Sequence, residues 1–220
     1  MVLYPSQYSE IGDDKISAQL FPISGWSALL NGVLAIIGVV FLVLFFVIGQ
    51  PFGTMNDLTS LPWVLSFLPV LWFFYRLGAN EHKFISLIAL GVGVFGLLGV
   101  FALQLLLVLK VITIWQQTYY ITSAFGAIGL WMVIASGMGR AESFVSPALA
   151  GFGIALGAGW ILATLCVWIG GFPPADGASS MSDMSQFNII TIIGISLIFL
   201  GYFVQPIWAI WLGRYILSTT

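Results

Sequence analysis

The residues that most often carry chemistry are scarce in this chain. Eight acids and six bases make up only 6% of its 220 residues, with one histidine and one cysteine. His82 stands in Ala79-Asn80-Glu81-His82-Lys83, a short polar stretch between apolar runs. A haem at membrane depth needs axial ligands there, and a zinc site of the usual kind needs several His or Cys. Neither set is present, so no metal site and no cofactor is expected, and the polar stretch around Glu81 and His82 reads as a solvated turn. Cys166, in Leu165-Cys166-Val167, reads as a small buried hydrophobe rather than a reactive thiol, and alone it closes no intrachain disulfide. No base neighbours an exposed nucleophile motif, so covalent hydrolysis has no basis. Rhodopsin-like photochemistry needs a lysine inside the bundle, whereas Lys110 closes a helix. No residue is assigned a catalytic role, and the expectation is that the chain is not an enzyme.

The remaining candidates are uncharged. Asn31, Gln104, Thr164 and Gln205 lie deep in apolar runs, where polar groups seek partners on other helices. At about 1.5 Å rise per residue, Asn31 and Gln205 fall at one depth, about a third of the way from one surface. Gln104, Thr122 and Thr164 fall nearer the other. The depths predict an Asn31–Gln205 bond, and a bond from Gln104 to Thr122 or Thr164. Pro206 cannot donate to the carbonyl of Tyr202, which predicts a kink beside Gln205. These groups serve either helix packing or a small-ligand path, with packing the leading reading. Proton-coupled transport usually leaves acids or histidines inside the membrane, and none of the eight acids falls deep within an expected span.

The elements that must position these residues are long oily runs. Hydrophobic residues make up 60% of the chain and the mean hydropathy is +1.08, whereas a soluble domain carries about 25% charged residues. A span needs about 20 apolar residues, and six candidates occur: about 26–48, 61–77, 84–109, 118–138, 147–170 and 188–212. Pro69 should bend the second. Ser146 and Pro147 mark a clean start for the fifth. The runs do not alternate as barrel strands do, and in lipid such runs must be helices. The expected fold is an all-α, polytopic bundle of six transmembrane helices over residues 25–213. It is flanked by an N-terminal tail (1–24) and a C-terminal tail (214–220).

Charge placement orients the bundle. With both termini cytoplasmic, Lys15, Arg76, Lys83, Arg140 and Arg214 lie inside and only Lys110 outside, as the positive-inside bias requires. The outer loops at 49–57 and 170–183 are turn-rich and lack basic residues. The polar, acidic first residues do not resemble a signal peptide. They form either a flexible tail or a brief interfacial helix over Asp14 to Leu20. Trp26, Trp63, Trp72, Tyr75, Trp115, Tyr119, Tyr120, Trp168, Trp208, Trp211 and Tyr215 gather near span ends, as in an interfacial aromatic belt.

Glycine numbers 25. Gly153-Ile154-Ala155-Leu156-Gly157 is a GxxxG stretch, so Gly153 and Gly157 are candidate helix-packing positions, within the chain or against a partner. The net charge of −2 offers no basic surface for nucleic acid. No internal repeat is visible, and the two halves share no motif.

The Ser24-Gly25-Trp26-Ser27-Ala28-Leu29-Leu30 segment, the Asn56-Asp57-Leu58 loop before a Pro-Trp span, and the six-span layout resemble bacterial multi-helix membrane proteins grouped only as domains of unknown function. The resemblance implies a bacterial plasma membrane and carries over no activity. The leading expectation is a non-catalytic integral membrane protein. It would serve as an accessory or scaffold subunit, packing against lipids, other membrane subunits or a second copy. The alternative is a passive transporter or small-ligand binder that uses the uncharged groups named above.

Overall fold

The computed structural model describes residues 14–171 and 187–219, without the side chains of 14–19 and 115. Six helices follow one another: α1 (Asp14–Ile48), α2 (Phe52–Gly78), α3 (Lys83–Val108), α4 (Ile114–Ala141), α5 (Pro147–Gly170) and α6 (Ile189–Ser218). All six are long and apolar enough to cross a membrane, and no strand occurs among the described residues. The all-α, six-helix, membrane-spanning architecture is therefore present.

The helices reach beyond the apolar runs because polar residues cap and extend them. Helix α4 starts at a reciprocal capping box: Thr113 Oγ1 accepts from Gln116 N, and Gln116 Oε1 accepts from Thr113 N. This satisfies two backbone donors that an exposed helix start leaves free. Ser146 caps α5 with Pro147 in its first turn, and Asn188 Oδ1 accepts from Ile190 N at the start of α6. Helix α2 begins at Phe52, within the stretch read as an outer loop. Thr59 Oγ1 donates to Met55 O and Ser60 Oγ to Asn56 O, so these hydroxyls fold onto the helix's own carbonyls. Before it, Gly49 turns the chain at φ +95°, which costs glycine no Cβ clash. Residues 14–20, expected as a tail or a separate interfacial helix, belong to α1. Helices α2 and α6 run unbroken through Pro69 and Pro206. The segment 172–183, expected as part of an outer loop, lies outside the described residues.

Each helix packs against its neighbours in sequence, and α1 closes the ring against α6. Helices α2 and α4 also meet across it and are the most buried. Phe21 of α1, Phe73 of α2, Phe144 of the α4–α5 turn and Tyr215 of α6 pack ring on ring. Both described chain ends therefore lie at one end of the bundle. The helix ends bearing Lys15, Arg76, Lys83, Arg140 and Arg214 gather there, and Lys110 closes α3 at the other end.

Several neighbouring helices touch backbone to backbone at glycine. A Cβ at Gly129 of α4 would stand 2.6 Å from Gly157 O of α5, and one at Gly157 would strike Gly129 O. A Cβ at Gly213 would stand 2.7 Å from Gly25 O across α6 and α1, and one at Gly194 of α6 2.8 Å from Ala163 O of α5. Small residues let backbones approach in lipid, where dispersion rather than hydrophobicity drives association. Other glycines are notches that receive tryptophan. The indole of Trp131 seats at Gly93, that of Trp160 at Gly201, and that of Trp208 at Gly153.

Those indoles form an aromatic core. Trp131 meets Phe67 edge-on at 5.2 Å between centroids, Phe74 at 5.7 Å and Trp208 at 6.4 Å, and Trp160 meets Phe125 at 5.1 Å. The aromatic belt expected from sequence is therefore divided. Trp26, Trp72, Tyr120, Trp168 and Trp211 are exposed as a belt requires, but Trp63 and Trp208 are buried. They lie on the inward faces of α2 and α6, a rotational fact that distance along the sequence does not carry.

Candidate functional site

The most connected buried polar group is a three-helix node. Asn31 is wholly buried on α1, Gln205 is 2% exposed on α6, and Ser66 is buried on α2. Asn31 Nδ2 donates to Trp63 O at 2.8 Å and to Ser66 Oγ at 3.1 Å. Gln205 Nε2 donates to Asn31 Oδ1 at 2.7 Å, and Ser66 Oγ donates to Trp63 O at 2.7 Å. Both amide hydrogens of Asn31 are thus engaged. Gly32 brings the helices near enough, since a Cβ there would stand 2.5 Å from Ile210 Cγ1 and 3.0 Å from Pro206 O. Toward the chain-end side of the node, Ser24 Oγ donates to Pro69 O at 3.1 Å.

The same seam holds a second polar group, toward the Lys110 end. Tyr202 Oη donates to Asn56 Oδ1 at 3.2 Å, joining α6 to α2. Gly38 of α1 makes room for it, since a Cβ there would stand 2.5 Å from Tyr202 Oη. Asp57, expected in a loop, is half-buried in the second turn of α2. Asn56, Ser60, Trp63 and Ser66 recur every three or four residues, which puts them on one face of α2. That spacing is the sequence signal for this seam, and the turn-forming residues at 49–57 mask the helix that carries it.

The other predicted residues are arranged differently. Thr164 Oγ1 donates to Thr122 O at 2.8 Å and to Trp160 O at 3.0 Å, joining α5 to α4. Gln104 is buried on α3 but does not complete this pair, and its Oε1 has no hydrogen-bond partner. Depth along the helices placed these residues at one level, and helix rotation then kept Gln104 from the pair. Pro206 is buried in the α1–α6 contact. Gly153 admits Ser136 and Trp208, and Gly157 meets Gly129; both pack inside the bundle.

At the chain-end side, Glu81, His82 and Glu142 bring three ligand atoms within 4.8 Å of one another. His82 Nε2 lies 3.8 Å from Glu142 Oε1, beyond hydrogen-bond length. These residues tie the α2–α3 turn loosely to the α4–α5 turn, and they are the described side chains that could hold a cation. Cys166 is half-buried and packs at Gly194.

Chemically, the seam is mainly a set of neutral amides and hydroxyls bonded to one another and to backbone carbonyls, with the Asp57 carboxyl beside Asn56 and Tyr202 at its Lys110 end. It can fix the rotation and register of α1, α2 and α6. It also offers a line of polar groups through an apolar bundle. No family model, no curated protein and no solved structure matches the chain.

Proposed function

We propose that this six-helix membrane protein is a non-catalytic accessory or scaffold subunit. In this reading it sits in a bacterial plasma membrane with its lysine- and arginine-rich end in the cytoplasm, and docks laterally on another membrane subunit. The observation that carries the reading is the outer face of α5. Ala148, Gly151, Ala155 and Ala158 are all exposed there, and a Cβ at Gly151 or at the neighbouring Gly159 would meet nothing within 4 Å. Small residues at this spacing favour close helix approach in lipid. The glycines that close the bundle are engaged elsewhere, and in this reading the exposed α5 face receives the partner. The satisfied Asn31–Gln205 node supports a structural interior.

The test is extraction from native membranes in mild detergent, followed by mass spectrometry of what co-purifies. A stoichiometric partner should be recovered, and Ala155→Leu should lose it. Recovery of the chain alone and monomeric overturns the reading.

A second reading, passive passage or binding of a small polar solute, is favoured by one observation: Tyr202, Asn56, Ser66, Asn31 and Gln205 line a single seam. Solute uptake into vesicles that falls with Gln205→Leu, while the bundle stays folded, would support it.

A further inference from the structure

The lipid-facing side of α6 carries a groove that runs from bare hydrocarbon to a cation. Its apolar part, about 160 Å³, lies between α1 and α6 over Pro206 and is walled by Val40, Phe203 and Ile207. Ile207 and Ile210 also line the next section, an open groove of about 660 Å³ that ends at Trp211, Arg214, Tyr215 and Ser218. The two sections therefore adjoin at these two residues. Phe203, Ile207, Ile210, Arg214 and Ser218 follow helical spacing along one face. At about 1.5 Å per residue the face is about 22 Å long, against about 15 Å of hydrocarbon in one leaflet. It is long enough for one acyl chain and the headgroup above it.

The chemistry changes along that length. No acid lines either section. Arg214 is exposed on the end of the bundle where five of the six basic residues gather. A guanidinium presents a planar fork that matches phosphate oxygens. Tyr215 and Ser218, whose hydroxyl donates to Tyr215 O, line the same end, and Trp211 is 40% exposed where an indole suits the interface. Basic pockets on membrane helices select anionic headgroups.

We propose that this groove is a binding site for one anionic phospholipid, its phosphate on Arg214 and one acyl chain lying over Pro206 between α1 and α6. The site rests on the membrane-spanning fold and not on the subunit reading, so the two can fail separately.

The test is native mass spectrometry of the full chain in detergent with equal amounts of phosphatidylglycerol and phosphatidylcholine. The wild type should retain phosphatidylglycerol about fivefold over phosphatidylcholine, the preference expected of one basic residue at the surface. Arg214→Gln should equalise the two lipids, Arg214→Lys should keep part of the preference, and Arg140→Gln should leave it intact. Ile207→Trp, at an exposed position that lines both sections, fills the groove and should lower retention of both lipids. Equal retention by the wild type overturns the proposal, as does an Arg214→Gln variant that keeps its preference. Glycerol phosphate competing as well as the whole lipid would show that the groove takes no part, and would also overturn it.

Discussion

Replacing Asn31 with leucine tests how the α1–α2–α6 seam is held. The exchange roughly keeps volume but removes three hydrogen bonds, to Trp63 O, Ser66 Oγ and Gln205 Nε2. Interhelical bonds in membranes average about 0.6 kcal/mol, so their loss costs about 2 kcal/mol. It also strands the Gln205 amide at a position 2% exposed, and an unpaired buried amide costs about 1–3 kcal/mol. Part of that penalty is already counted in the lost bond. The expected destabilisation is about 2–4 kcal/mol. Gln205→Leu removes one of these bonds and costs less. The double variant strands neither partner of the Asn31–Gln205 bond, so its cost should fall short of the sum of the singles by about 1 kcal/mol, within the range for residues in contact. Reversible unfolding in micelles, read by tryptophan fluorescence, measures all four proteins. Additivity within about 0.3 kcal/mol, or an Asn31→Leu protein as stable as the parent, would refute the argument.

Other expectations follow from the same packing. Gly129→Ala sets a Cβ 2.6 Å from a backbone carbonyl and should cost about 1–3 kcal/mol by overpacking. Gly151→Ala meets nothing within 4 Å and should gain up to about 1 kcal/mol from helix propensity; the same unfolding assay compares them. Trp131→Ala empties the centre of the aromatic core and should cost about 3–5 kcal/mol, read in the same unfolding assay. In a Cys166→Ser background, membrane-impermeant maleimide should label Thr113→Cys from outside the cell and Ser218→Cys only from the cytoplasm. Labelling of both from one face would contradict six crossings.

The six crossings were legible because lipid demands a continuous apolar stretch about 20 residues long, and composition alone records that. Helix ends were less legible. The Asn56–Ser60 stretch is polar enough to read as loop, yet its hydroxyls bond back onto α2. Asn31 and Gln205 could be paired from depth because both also happen to face the same seam. Gln104 and Thr164 share a depth but not a direction. Direction depends on how six helices rotate against one another, and that is decided by contacts such as Gly129 on Gly157 or Trp208 on Gly153. A single glycine in sequence does not say whether it meets a carbonyl, an indole or lipid.

The α1–α6 closure also sets an order of assembly. Asn31 and Gln205 are 174 positions apart, and at about 5–20 residues per second a ribosome needs on the order of ten to thirty seconds to cover that distance. Trp63 O and Ser66 Oγ follow Asn31 by only 32 and 35 positions, so its amide hydrogens find partners early in that interval, while its own oxygen waits for the last helix. The α1–α6 contact can therefore form only once the final helix has arrived, and until then the seam of the bundle stays open along that side.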